Sequence, residues 1–285
     1  MRTRFRWSVV AAAGAALLFA APPKGPKPPL SIVNTALQQY EDGPRMPADL
    51  GYAAGELAFF SLEIAGYQKS EKDHIQLAWE WKCMDQSGIP LVEPASGKVE
   101  TDVSPEDKEW LPKIRQNFEI PYYAPSGNYR LVFTAHDALG GADASVDIPF
   151  RVRGHNVTPS DTLVVRNFRF YRSEDDPQPL GVAAYRPGES VWARFDITGY
   201  KLGPGNSFEV QYGLRVIRPD GKSGFSQPDA ATLKDQSFYP RRYTPAALSL
   251  TLPPDIVKGA HTVVLTVRDK IGNQTAGTEQ KFSVE

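Results

Sequence analysis

The stretch GELAFFSLEIAGY at 55–67 returns as GESVWARFDITGY at 188–200. A chain that writes one segment twice builds one structural unit twice, and this constrains its architecture before any other feature does. Gly55-Glu56 recurs as Gly188-Glu189, and Gly66-Tyr67 as Gly199-Tyr200, both 133 positions on. The same spacing carries Pro44 to Pro177, Gly88 to Gly221, Trp110 to Tyr243 and Pro112 to Pro245. It shortens to 132 for Gly127 and Gly259, Asp137 and Asp269, Phe150 and Phe282, and Val152 and Val284. One module has been duplicated with a single-residue slip.

Each copy has the period of a β-strand. Ala58, Phe60, Leu62 and Ile64 alternate with Phe59, Ser61 and Glu63; Val191, Ala193, Phe195 and Ile197 alternate with Trp192, Arg194 and Asp196. Period two with one apolar face marks a sheet wetted on one side. Leu77, Trp79, Trp81 and Cys83 fall together and match Val210, Tyr212, Leu214 and Val216, so Cys83 reads as a core thiol in the place of a valine. DALGG (137–141) and DKIGN (269–273) have hairpin composition. Only SPEDKEWL (104–111) reads as briefly helical, with Ser104 as cap and Pro105 in the first turn. The expected fold is all-β, two antiparallel β-sandwiches in tandem: residues 31–153, a linker over 154–161, and residues 162–285.

The start of the chain reads as a targeting segment. Arg2, Arg4 and Arg6 precede an apolar run from Trp7 to Phe19 and then small residues, the layout of a secretory signal peptide over 1–20. The run is too short to span a bilayer comfortably, so no membrane insertion of the mature chain is expected. A proline-rich spacer, APPKGPKPPL (21–30), follows. Removing the three arginines takes the net charge from -1 to -4, which argues against nucleic-acid binding. The reading is an exported protein, periplasmic or extracellular.

RPGESV leading into a strand, the Gly-Tyr close and the later Asp/Gly hairpin resemble tandem bacterial immunoglobulin-like or fibronectin-III-like modules. The resemblance covers both repeats but lacks the cysteine pair of antibody-type domains. It implies a spacer, an adhesin or a binding accessory; that role comes from the resemblance and not from the residues.

The residues offer little chemistry. His74, His136, His155 and His261 form no HExxH pair, and no cysteine cluster accompanies them. His136 stands beside Asp137 without a G-x-S-x-G nucleophile elbow, and GPGNS (203–207) lacks the lysine of a phosphate loop. No catalytic residue, cofactor or metal ligand is assigned. The acidic turns EDGP (41–44) and EDDP (174–177) leave calcium open. Glu56 and Glu189 read as turn-side charges, and Tyr67 and Tyr200 as strand-end tyrosines bonded to backbone. A partner surface is sought among outward Arg and Tyr residues, which favour protein recognition: Arg169 and Tyr171, then Tyr239, Arg241 and Arg242, then Tyr122 and Tyr123. The expected function is non-catalytic binding or spacing at the cell envelope, engaging a protein partner. An accessory carbohydrate-binding protein is the alternative, because aromatic rings also stack on sugars. A hydrolase with a site assembled from loops ranks third.

Overall fold

The computed structural model describes residues 28–285 apart from 48, 105 and 108. The expected signal peptide over 1–20 and the spacer up to residue 27 lie outside the described residues. The chain is all-β, in two halves. The first holds β1 (Ser31–Gln38), β2 (Tyr52–Ala53), β3 (Leu57–Ala65), β4 (His74–Met84), β5 (Ala95–Asp102), β6 (Lys113–Glu119), β7 (Gly127–Asp137) and β8 (Ala142–Arg153). The second holds β9 (Val164–Tyr171), β10 (Ala184–Tyr185), β11 (Ser190–Thr198), β12 (Phe208–Ile217), β13 (Ser223–Asp235), β14 (Tyr243–Thr251), β15 (Gly259–Asp269) and β16 (Gln274–Val284). Among the described residues no helix is long and apolar enough to cross a membrane.

Each half pairs a three-stranded sheet with a five-stranded one. In the first these run β1-β3-β6 and β2-β8-β7-β4-β5; in the second, β9-β11-β14 and β10-β16-β15-β12-β13. All neighbours are antiparallel except the short β2–β8 and β10–β16 pairs. The inward faces are the apolar positions of the period-two pattern. Ala58, Phe60, Leu62 and Ile64 are buried, as are Val191, Ala193, Phe195 and Ile197. Burying each large side chain contributes about 1.5–3 kcal/mol. Cys83 is a fully buried free thiol. Trp79 departs from its three neighbours: it is half-buried, its indole lying over Gly97 of edge strand β5, where any larger residue would meet the ring.

Repeated side chains make repeated bonds. Tyr52 donates its hydroxyl to the Gln38 carbonyl at 2.8 Å, and Tyr185 donates to the Tyr171 carbonyl at 2.9 Å. Glu56 accepts from the Ala53 amide at 2.6 Å and Glu189 from the Arg186 amide at 2.8 Å, each carboxylate closing its turn. Asp137 and Asp269, both buried, start the hairpins and accept from the amides of Gln68 (2.7 Å) and Lys201 (2.9 Å). Tyr67 and Tyr200 donate to the carbonyls of Trp110 and Arg241 at 2.5 and 2.6 Å. Gly66 and Gly199 have φ of +76° and +79°, and a Cβ on either would run into the carbonyl of Pro29 or Thr162, so only glycine fits.

Two expectations are corrected. Strand register pairs Glu63 with Lys113 and Asp196 with Pro245, so Pro245 corresponds to Lys113 rather than Pro112, and Tyr243 to Leu111 rather than Trp110. Exposure agrees: Trp110 is 38% exposed and Tyr243 only 6%. The described residues of 104–111 form successive turns and no helix. The Asp107 and Trp110 amides donate to the carbonyls of Ser104 and Asp107, a three-residue spacing that never settles into an α-helical ladder.

Candidate functional site

The seven Arg and Tyr residues singled out above separate into two places. Five meet where the halves abut. Asp85 sits in the turn after β4, its Oδ1 accepting from the amides of Ser87 (2.8 Å) and Ile89 (2.9 Å). Its Oδ2 faces the second half, where Tyr239 donates a hydroxyl to it at 3.0 Å and Arg242 Nη2 lies 3.5 Å away. Tyr239 is 1% exposed, and its packing neighbours are those of the first core. Its ring stacks on Tyr123 at 6.3 Å. Arg241 carries its guanidinium over Tyr122 (5.3 Å), Tyr123 (5.5 Å) and Phe208 (5.4 Å), and donates to Asp235 at 3.0 Å. Tyr239 and Arg241 are therefore sealed between the modules, and the outward surface expected of them is corrected on that ground. Tyr122 keeps an open face at 59% exposure.

Burial dominates the ionisation of Tyr129 and Tyr239. It pushes Tyr129 up to about 12, and Tyr239, which also faces Tyr129 and Asp85, further still. Both remain neutral through the physiological range, which keeps the Tyr239 hydroxyl a donor to Asp85.

The linker is fastened at its first two residues. Gly154 donates its amide to Ser126 Oγ at 2.9 Å, and Ser126 donates back to the Gly154 carbonyl at 2.7 Å. A Cβ at Gly154 would collide with the Ala124 carbonyl. His155 reaches the other way, with Nε2 2.7 Å from Asp196 Oδ2 and its ring 5.5 Å from Tyr243.

Arg169 and Tyr171 lie apart from the junction, on the outer face of the β9-β11-β14 sheet, in a concavity that His155, Arg194, Asp196 and Ala247 also line. Arg194 covers the Tyr171 ring at 4.2 Å and donates to the Glu174 carbonyl. Asp196 is 3% exposed although its strand position faces outward. His155 covers it, and Asn167 donates to its Oδ2 at 2.8 Å from a bulge with φ of +50°.

The sequence reading missed His155, Asn167 and Asp196. The usable signal was the repeat: Asn34 and Glu63 stand 133 positions before Asn167 and Asp196 and make the same bond at 2.6 Å, again from a residue with positive φ (51°). The His136–Asp137 neighbourhood is no dyad, since His136 pairs with Asp143 at 2.8 Å across the sheet while Asp137 points inward. The Asp42 carboxylate accepts from Lys113 and Arg115, both at 2.9 Å, which holds it below the usual carboxylate range. No group of three or more His, Cys, Asp or Glu placed to share a metal ion occurs among the described residues.

No protein-family model and no curated protein matches this chain. Among solved structures it is similar to a family 123 glycoside hydrolase from Clostridium perfringens, at 10% identity and a TM-score of 0.30, over 44% of this chain and 27% of that one. It is also similar to the C-terminal domain of the Streptococcus agalactiae antigen I/II polypeptide BspA, at 10% identity and a TM-score of 0.29, over 90% of this chain and 100% of that one. A third is red sea bream transglutaminase, at 11% identity and a TM-score of 0.24, over 88% and 31%. This chain spans about a quarter of the hydrolase's length and a third of the transglutaminase's.

Proposed function

We propose that this chain is a non-catalytic protein of the cell envelope whose two modules act as one stiff arm that presents a face to a protein partner. The observation that carries the reading is the junction: a buried carboxylate on one module is hydrogen-bonded by a tyrosine and ion-paired with an arginine of the other. Its linker is tied to both sides. A flexible tether between two binding domains has no use for such bonds, whereas a spacer that sets a distance depends on them. The loose likeness to immunoglobulin-like or fibronectin-III-like modules fits this role, as does a proline-rich stretch ahead of the first strand. Export rests on the signal-like segment at 1–20.

A protein partner is preferred to a sugar because the candidate aromatics do not form a platform. Tyr122 and Tyr123 meet edge to face at 88°, and the Tyr171 ring is covered by Arg194. The test is chemical cross-linking of the tagged protein in its native envelope, with the captured species identified by mass spectrometry. Reproducible cross-links from the β9-β11-β14 face to one protein support the reading. Recovery on insoluble polysaccharide, with no protein cross-linked, replaces it with the accessory carbohydrate-binding role.

A further inference from the structure

Arg169 and Arg194 are direct cross-strand partners in the β9–β11 ladder, both projecting into the concavity on the outer face of the second module. Like charges placed opposite one another on adjacent strands repel, and sheets ordinarily avoid the arrangement. Here the Tyr171 ring under Arg194 offsets it only in part. Among the described residues no carboxylate lies within ion-pair distance of either guanidinium; each donates only to a backbone carbonyl, Arg169 to Phe168 and Arg194 to Glu174. The nearest acid in the concavity, Asp196, is already engaged by His155 and Asn167. On the other flank of Arg194 the register places Ala247, whose short side chain leaves the approach open.

The first module supplies an internal control. Its residues at the positions of Arg169 and Arg194 are Ala36 and Ser61, which pair across β1 and β3. Arg115 takes the place of Ala247, opposite Ser61, and it is neutralised by Asp42 at 2.9 Å. The duplicated scaffold therefore stands without an arginine pair, and the pair belongs to the second copy alone.

We propose that Arg169 and Arg194 form a binding site for an acidic peptide segment, a run of Asp or Glu side chains on the protein partner of the preceding reading, on which this inference rests. Two adjacent guanidiniums donate to carboxylates in forked, charge-assisted pairs, and a bound carboxylate removes the cross-strand repulsion. An acidic glycan offers the same charge, but here it gains no stacking of its ring on an open aromatic face. The Tyr171 ring beside the pair is capped by Arg194.

The test uses the whole protein, with a fluorescent oligoglutamate peptide and polygalacturonate as separate probes, each read by binding and by thermal shift. The decisive variant is Arg169→Glu, which places a carboxylate opposite Arg194. The proposal expects oligoglutamate to bind and to raise the wild-type melting temperature. It expects Arg169→Glu to bind at least about tenfold more weakly while melting higher than the wild type without ligand. Because the variant gains stability, weak binding cannot be put down to misfolding. Oligoglutamate binding that Arg169→Glu leaves intact overturns the site, and polygalacturonate binding without oligoglutamate binding overturns the peptide. If oligoglutamate fails while envelope cross-linking still captures one protein, this inference falls and the stiff-arm reading stands. If the envelope capture fails as well, both fall.

Discussion

Tyr239 of the second module donates its hydroxyl to the buried Asp85 carboxylate of the first, 3.0 Å away and 154 positions earlier in the chain. Removing the hydroxyl leaves Asp85 Oδ2 buried with only Arg242, at 3.5 Å, to answer it. Tyr239→Phe keeps the ring that stacks on Tyr123, so its effect isolates the bond. The expected loss is about 1–3 kcal/mol, the cost of an unsatisfied buried acceptor. Urea unfolding measures it, and a loss within about 0.3 kcal/mol contradicts the role given to the bond.

Gly154 is the point where the linker touches the first module too closely for any side chain. Gly154→Ala is expected to push the linker off Ser126 and expose residues 154–161 to protease. The wild type should resist cleavage there under conditions that nick the variant. Equal resistance shows the linker held by something other than the Gly154 contacts.

His261 is fully buried, with Nδ1 3.1 Å from the Gly259 carbonyl and Nε2 unpartnered. Its ring stacks on Phe282 at 5.3 Å, so a phenyl ring suits the same slot, and the first module has Tyr129 there. His261→Phe is expected to stabilise the protein by about 1 kcal/mol, because it removes a buried polar atom without a partner. A lower melting temperature contradicts this.

Burial pushes the Cys83 thiol well above its ordinary range. Thiol reagents should fail to label the folded protein and should label it fully in denaturant. Cys83→Val, which writes in the residue of the second module at Val216, should change stability by less than about 1.5 kcal/mol.

Several tyrosines, Tyr129 and Tyr185 at about 12 among them, have their ionisation raised by burial. A raised value means that their stabilising effect is complete below about pH 10, where tyrosine ionises in the unfolded chain. It is lost as pH rises through the folded values. The unfolding midpoint should carry no tyrosine-linked slope up to about pH 10 and fall above it, with tyrosinate absorbance lagging that of the unfolded chain. Native tyrosines that all ionise near pH 10 contradict the burial described.

The sandwich architecture was legible because a strand with one wet face stamps period two on its residues, as at Ala58–Ile64 and Val191–Ile197. Tyr67 and Tyr200 were legible because a side chain that serves the scaffold is copied with it. The junction was not, since Asp85 and Tyr239 are unique to their own copies and their contact obeys no local period. Arg241 and Tyr239 have the composition of a recognition surface and do recognise one, but that surface is the other half of the same chain. Asp196 looked solvent-facing by alternation, and only the folded linker brings His155 over it. The match of Pro112 to Pro245 misled by coincidence, because the one-residue slip falls before β6 and β14.

If the two modules move as one body, the distance between them has a single narrow distribution. Spin labels at Lys98→Cys and Lys281→Cys, in a chain carrying Cys83→Val, report from exposed strand positions on the two modules. A stiff junction gives one narrow distance peak that broadens when Tyr239→Ala opens it. A broad distribution in the otherwise unaltered chain contradicts it, and the modules are then beads on a tether.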